Sequence, residues 1–129
     1  PNKPADRGKH CFRYAFYPHT GDCFSAKVPE QSYLFNLLPV ETKCKNVSSV
    51  SPVSLSAGNL VVETLKPSED GKATVIRIYE NEGKACTATV SLGFGYDKIY
   101  ECDMRENNVV ECGGELSFRP YEIKTLYVI

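Results

Sequence analysis

Two histidines and two nearby aspartates are the residues of this sequence best suited to binding a metal ion. His10 and His19 lie nine positions apart, and with Asp22 or Asp6 they could supply imidazole and carboxylate ligands. The alternative is that His10 caps a strand and that His19 lies in the turn of the PHTGD segment. The sequence contains no HExxH, GxSxG or P-loop motif, so none of these catalytic arrangements is indicated.

Acidic residues form two close groups. Glu80 and Glu82 flank the YENEG turn, and the second group contains Glu101, Asp103 and Glu106. Glycoside hydrolysis uses two carboxylates about 5–10 Å apart across a cleft. Neighbours on one turn rarely face each other across a cleft, so a solvated acidic face is the more ordinary interpretation. Ion pairs with three arginines are the other ordinary interpretation: Arg77, Arg105 and Arg119.

A set of aromatic residues near the start of the chain permits two interpretations. The set is Tyr14, Phe16, Tyr17, Tyr33 and Phe35. Such rings could line a sugar-binding platform, or they could be core residues. Their alternation in the sequence favours the core.

The segments that would position these residues are mostly strand-like. β-branched and aromatic residues are concentrated in residues 10–17, 60–65, 72–80, 85–94, 97–104, 114–118 and 122–129. Short turn sequences separate them, such as NEG at 81–83 and GG at 113–114. This spacing predicts an all-β fold, an antiparallel β-sandwich. Residues 29–38 are the best helix candidate, and 45–59 are interpreted as an extended connector or an edge strand.

Composition limits the class of protein. The chain has 129 residues and a net charge of −1, whereas nucleic-acid-binding domains are usually strongly basic. No apolar run approaches the ~20 residues that span a bilayer, and no signal peptide is visible. Because the sequence begins with Pro, we expect a fragment or a processed product.

Six cysteines leave the redox state open. An even number permits three disulfides, but Cys11, Cys86 and Cys102 alternate with apolar residues in strand-like runs, where a free thiol behaves as a small buried hydrophobe. The second interpretation favours reduced thiols and a cytoplasmic origin.

Five stretches, in order, resemble one family. They are DRGKHCFRYAFYPHTGD (6–22), YLFNLLPV (33–40), LVVETLKPSEDGKATVIRIYENEG (60–83), CDMREN (102–107) and FRPYEIKTLYV (118–128). Together they resemble the C-terminal β region of glycoside hydrolase family 38 α-mannosidases. The resemblance covers nearly the whole chain.

The resemblance implies that this chain is one part of a larger enzyme, called here the parent enzyme. Residues 1–58 would be the terminal strands of a large β-sandwich, as a fragment, and residues 59–129 a small C-terminal β-sandwich. The family hydrolyses terminal α-linked mannose with retention, using zinc held in an N-terminal domain that is missing here. The chain itself would then be non-catalytic and hold no cofactor.

The resemblance also implies partners and a candidate site. The chain would pack on the parent enzyme's catalytic domain and shape the cleft that receives a mannose-containing glycan, and contacts in a homo-oligomer are a further role open to it. The turn at 5–10 would approach that cleft, with Arg7 acting through its charge and with Asp6 and His10 bracing the turn. The alternative is that Asp6 and Arg7 only cap a strand.

Two rival functions remain open from the sequence. One is a carbohydrate-binding β-sandwich module with aromatic residues at its surface, for which Tyr14, Tyr17 or Tyr96 would be the contacts. The other is a secreted interaction domain stabilised by three disulfides. Neither rival nor the favoured interpretation involves nucleic acid or a membrane.

Overall fold

A computed structural model describes residues 7–37, 39–46 and 48–129. The chain forms two compact units, Pro1–Lys43 and Cys44–Ile129. The division between residues 58 and 59, with the first part belonging to a larger sandwich, stays a prediction.

The first unit contains one α-helix, α1, over Val28–Asn36. Its first turn contains Pro29, whose fixed φ suits a helix start. Asp22 stabilises a turn in the segment that precedes this helix. Its Oδ1 accepts hydrogen bonds from the backbone N–H groups of Phe24 and Ser25 at 2.9 and 2.8 Å. The helix predicted over 29–38 is therefore confirmed, although position 38 lies outside the described residues.

The strand predicted over residues 10–17 is wrong for this chain. These residues have no strand pairing within the described parts of the chain. A strand needs a neighbour to satisfy its backbone hydrogen bonds, and no described segment provides one. Arg13 instead connects this segment to α1, because its Nη2 donates to Phe35 O at 3.0 Å and its guanidinium lies 5.0 Å from the Phe35 ring centroid.

The second unit is built from β-strands. Those that the structure describes are β1 (Val53–Leu55), β2 (Leu60–Pro67), β3 (Thr74–Glu80), β4 (Cys86–Leu92), β5 (Ile99–Cys102), β6 (Val110–Glu111), β7 (Glu115–Phe118) and β8 (Ile123–Val128). One sheet has the order β1-β4-β7 and the other β2-β3-β8-β5-β6. Every pair is antiparallel, which confirms the predicted all-β sandwich. β1 lies in the 45–59 stretch and is an edge strand.

The core lies between the two sheets and follows strand alternation. On β3, Ile76 and Ile78 are fully buried and point inward, while Val75, Arg77 and Tyr79 belong to the outer face. The smaller sheet contributes Ala88, Val90, Leu116 and Phe118 to this core, and the other strands of the larger sheet contribute Leu60, Ile99, Leu126 and Val128. Each large apolar side chain in such a core contributes about 1.5–3 kcal/mol.

The outer face of the larger sheet is covered only in part. Val75 and Thr125 are buried there by the loops that follow β2 and β5. Lys66 Nζ lies 2.7 Å from Glu106 Oε1, and Arg77 Nη2 donates to Met104 O at 3.3 Å, so these loops are fixed over that half of the face.

All six cysteines are free thiols. Cys102 is buried, Cys86 is half-buried and Cys11 is exposed. The expectation of a buried thiol is therefore confirmed at Cys102 and wrong at Cys11, because the strand expected around Cys11 does not form.

Candidate functional site

The turn predicted to approach a cleft is only partly described. Arg7 and His10 are both exposed and lie in backbone without regular secondary structure. Gly8 between them has a φ of 130°, which few residues with a side chain adopt. Asp6 lies outside the described residues. The roles given to Asp6, Arg7 and His10 stay predictions.

The metal hypothesis drawn from the histidines finds no geometric support. In residues 7–37, 39–46 and 48–129, no three His, Cys, Asp or Glu side chains are grouped as a metal site. The His19 ring lies beside Tyr17, with 6.2 Å between the ring centroids, and Asp22 accepts hydrogen bonds within its own turn. The version of the hypothesis that uses Asp6 falls outside the described residues.

Most of the acidic candidates are paired with lysines. Glu101 lies 2.8 Å from Lys124 Nζ, and Glu82 lies 2.8 Å from Lys84 Nζ. Glu106, with its side chain 8% exposed, is paired with Lys66. The prediction that arginines would be their partners is wrong for these residues, since adjacent strands and turns bring lysines closer. Asp103 contacts Arg105, but through the backbone N–H of Arg105 at 2.8 Å.

Arg119 and Arg77 have other partners. Arg119 Nη2 lies 2.8 Å from Glu122 Oε1, within its own turn. Arg77 donates to Met104 O. Of these acids, Glu82, Asp103, Glu106 and Glu122 contact groups in turns or loops, whereas Glu101 joins two strands.

Glu80 is the exception among the acids, because it is only 1% exposed. The expectation of a solvated Glu80 is wrong. Its Oε1 accepts hydrogen bonds from Asn59 Nδ2 at 2.9 Å and from the Glu82 N–H at 2.8 Å. Its Oε2 accepts from the N–H groups of Gly83 at 2.8 Å and Tyr121 at 2.9 Å. One carboxylate thus joins the start of β2, the β3–β4 turn and the β7–β8 turn.

The pKa of Glu80 follows from this environment. Burial raises it, but the backbone N–H groups of Tyr121 and Glu82 and the Asn59 amide favour the charged form. The net effect lowers the pKa from 4.5 to about 2. Glu80 is therefore ionised over the physiological range and acts as a fixed hydrogen-bond acceptor rather than as a proton donor.

The first unit has three highly exposed aromatic rings at alternate positions, Phe12, Tyr14 and Phe16, named here the aromatic face. These side chains are 80%, 88% and 90% exposed. Tyr17 and Tyr33 are also exposed and Phe35 is half-buried. The core role predicted for this aromatic set is thus wrong within this chain. An apolar area of this kind marks an interaction surface.

The first unit contains two cavities, of which one is lined in part by Phe16 of the aromatic face. One, of about 490 Å³, is lined by Phe16 and Tyr17 together with Val28, Leu34 and Phe35 of α1. The other, of about 600 Å³, is open and more polar, and Tyr17, His19 and Ser25 are among its lining residues. Cavities of this size accommodate a side-chain cluster or a small ligand.

The second unit defines the class of protein as an antiparallel β-sandwich domain. The profile of the glycosyl hydrolases family 38 C-terminal beta sandwich domain matches residues 59–126. The chain therefore belongs to glycosyl hydrolase family 38.

Curated relatives agree with the family. The chain is 30% identical over 143 residues to Alpha-mannosidase G of Dictyostelium discoideum. This match covers 100% of the chain and 13% of the relative. It is 29% identical over 134 residues to Alpha-mannosidase 2C1 of Homo sapiens, covering 98% of the chain and 13% of the relative. The chain thus spans about an eighth of the length of these relatives. No solved structure is significantly similar to it. No helix in the described part of the chain is both long and apolar enough to cross a bilayer.

Proposed function

We propose that this chain is the non-catalytic C-terminal β region of an α-mannosidase, which packs on the catalytic domain and shapes the active-site cleft. The observation that carries the proposal is the match of residues 59–126 to the family's C-terminal sandwich domain, in a chain that is 13% of its α-mannosidase relatives.

The proposal includes the reaction of the parent enzyme. That enzyme hydrolyses terminal α-linked mannose with retention, through a covalent glycosyl-enzyme. Zinc bound in its N-terminal domain positions the sugar. The proposal assigns none of the described residues of this chain to zinc.

In the first unit, the aromatic face is proposed as the surface that the parent enzyme covers. Phe12, Tyr14 and Phe16 alternate as they would on one side of a strand, and they are 80–90% exposed without a partner strand among the described residues. A strand from the preceding sequence would satisfy the backbone of residues 10–17 and bury these rings. Residues 1–58 would then complete a larger sandwich, as predicted from the sequence.

The turn with Asp6, Arg7 and His10 is proposed to face the cleft. Arg7 is exposed and carries a permanent positive charge, which suits a long-range contact with carboxylates of the catalytic site. An Arg7→Ala variant of the parent enzyme should then lower kcat/KM for an α-mannoside while its melting temperature stays unchanged. The matched control is Arg105→Ala, an exposed arginine of the second unit. Equal effects of the two variants would remove Arg7 from the proposal.

The main test compares this chain with the parent enzyme. The purified 129-residue chain should not hydrolyse nitrophenyl α-mannoside above a blank, whereas the parent enzyme should. Hydrolysis by the chain alone would overturn the non-catalytic role. A full-length protein without α-mannosidase activity would overturn the assignment to this enzyme.

Location and assembly complete the proposal. A cytoplasmic location is supported by six free thiols, which a reducing compartment permits. A homo-oligomeric parent enzyme is also proposed, since a non-catalytic sandwich can contribute contacts between copies. Thiol titration in freshly lysed cells and sedimentation of the parent enzyme test these two points.

A carbohydrate-binding module is the second candidate. The observation that favours it is the open cavity lined by Tyr17 and His19, since an aromatic ring beside polar groups suits a sugar. Calorimetric titration of the chain with mannobiose should give heat that Tyr17→Ala removes and Tyr96→Ala leaves. Absence of heat at millimolar sugar would exclude this candidate.

A further inference from the structure

One corner of the larger sheet is an apolar surface that the described residues of the second unit cover only in part. Val61 on β2, Tyr79 on β3 and Ile123 on β8 are successive cross-strand partners, so they form one row. They lie on the outer face, because Ile78, the next residue of β3, points into the core. Ile123 is 52% exposed, although it occupies a strand near the centre of the sheet.

The corner around Ile123 is exposed because of the lengths of the neighbouring strands and loops. β5 pairs with β8 only from Val128 to Thr125, so its pairing stops before Ile123. The loops fixed by Lys66 and Glu106 cover Val75 and Thr125 on the other half of this face. Ile123, in contrast, keeps 52% of its surface exposed.

Tyr121, two residues before Ile123, is held in an unusual conformation beside this row. Its φ is 58°, in the left-handed region that residues with a Cβ rarely adopt. Its backbone N–H is held by Glu80 Oε2 at 2.9 Å. The end of its ring lies on Gly83, where an added Cβ would be 2.6 Å from the tyrosine Oη.

A strained residue that the surrounding structure holds in place is a sign of function. Tyr121 is 67% exposed, so its strain is not explained by burial in the core. An aromatic side chain fixed before binding loses little conformational entropy on contact, which makes it a strong anchor for a protein partner.

We propose that Val61, Tyr79, Tyr121 and Ile123, named the Tyr121 surface, dock against the preceding part of the same polypeptide in the parent α-mannosidase. Most of that polypeptide lies outside this chain, which is 13% of its relatives' length. The four residues carry no charge, as expected at the centre of a protein interface. This inference rests on the proposed function and names the part of the second unit that makes the contact.

Site-specific photo-cross-linking in the parent enzyme tests this surface. p-Benzoylphenylalanine replaces the tyrosine at position 121 in one sample and at position 96 in another. Tyr96 is the matched control, because it is an exposed tyrosine of the same unit, outside the Tyr121 surface. After irradiation and digestion, position 121 should give cross-links within one polypeptide to peptides that precede Pro1, at least fivefold more than position 96.

The other occupants of this surface give different results. A cross-linked dimer on a denaturing gel would mean that a second copy covers it, and loss of the cross-link on adding mannobiose would mean a glycan. Either outcome, or equal yields at the two positions, overturns the inference. If the parent enzyme hydrolyses nitrophenyl α-mannoside but position 121 gives no cross-link, only the Tyr121 surface is wrong. If the enzyme is inactive on that substrate, the proposed function is wrong.

Discussion

The backbone N–H of Tyr121 donates a hydrogen bond to Glu80 Oε2 at 2.9 Å, between residues 41 positions apart in the sequence. Glu80 ends β3, and Tyr121 lies in the turn that leads into β8, the strand paired with β3. The carboxylate therefore fixes the point at which β8 enters the sheet. It also holds the exposed ring that we propose as an anchor.

Replacing Glu80 should destabilise the chain strongly. In Glu80→Gln, one acceptor oxygen becomes an NH₂ group that faces backbone N–H donors, so buried hydrogen bonds are lost. We expect the free energy of unfolding to fall by about 2–4 kcal/mol, measured by urea denaturation at pH 7. Glu82→Gln is the control, because it removes only a pair with Lys84 on the same turn and should cost less than about 1 kcal/mol. Equal losses in both variants would contradict the role of Glu80.

The same carboxylate makes stability depend on pH. The pKa of Glu80 is about 2 in the folded chain and 4.5 without its partners. Its contribution is therefore complete above pH 4.5 and is lost as the pH falls toward 2. The pKa values of Asp103, Glu106 and Glu122 are lowered as well, so the stability that these carboxylates contribute is also lost as the pH falls. Unfolding free energies measured from pH 6 to 2.5 should fall less steeply in Glu80→Gln than in the unchanged chain, and parallel curves would contradict this origin.

Alanine substitutions at two glycines can distinguish a clash with the Tyr121 ring from backbone strain. Gly83 and Gly71 have φ values of 73° and 71°. An added Cβ meets the Tyr121 ring at Gly83 and nothing within 4 Å at Gly71. Each alanine variant should cost about 1 kcal/mol from strain, and Gly83→Ala should also displace the ring, which NMR of the tyrosine side chain would detect. When Tyr121→Gly is also present, the two alanine substitutions should lower the free energy of unfolding equally.

Exposure of the aromatic face predicts different effects in the chain and in the parent enzyme. Phe16 is 90% exposed here, so Phe16→Ser should change the stability of this chain by less than about 0.5 kcal/mol. The parent enzyme, where we propose that Phe16 is buried, should unfold at a lower temperature. Leu116→Ala is the control for a core position and should cost about 2–5 kcal/mol in the chain itself. A parent enzyme insensitive to Phe16→Ser would contradict burial of this face.

The thiols allow a test of both redox state and loop structure. Under denaturing, non-reducing conditions, six thiols should react, and fewer would support the rival domain with disulfides. In the folded chain Cys102 should react slowest, because it is buried and because burial raises its pKa. Glu106→Ala removes the ion pair with Lys66 that fixes the covering loop, so Cys102 should then react faster while Cys86 is unchanged.

The fold was largely predictable because strand alternation and turn residues are local signals. β3, β4, β5, β7 and β8 each fall in a predicted run, β2 extends two residues past its run, and the turn at 81–83 was expected from its glycine. The run at 10–17 has the same alternation, yet it forms no strand here. Alternation reports that a segment suits a sheet, whereas pairing depends on a neighbour that a single segment does not specify.

The role of Glu80 could have been inferred from the sequence but was missed. Ile76, Ile78 and Glu80 share one face by alternation, which places an acid at an inward position of a core strand. Such an acid must be hydrogen-bonded, and the following turn offers two backbone N–H groups. The third N–H group, from Tyr121, comes from a distant turn, and only the folded chain reveals it. The Tyr121 surface was missed for the same reason, since it combines three strands.

The position of β8 has a consequence for biosynthesis. This strand lies between β3 and β5, although it is synthesised after both of them. During translation the β2–β3 hairpin can form early, but the edge of β3 that pairs with β8 stays unpaired until residues 123–128 leave the ribosome. The nascent chain must therefore be protected from aggregation in the interval between β3 and β8, and a stop codon in that interval would leave a β-strand edge suited to recognition by chaperones.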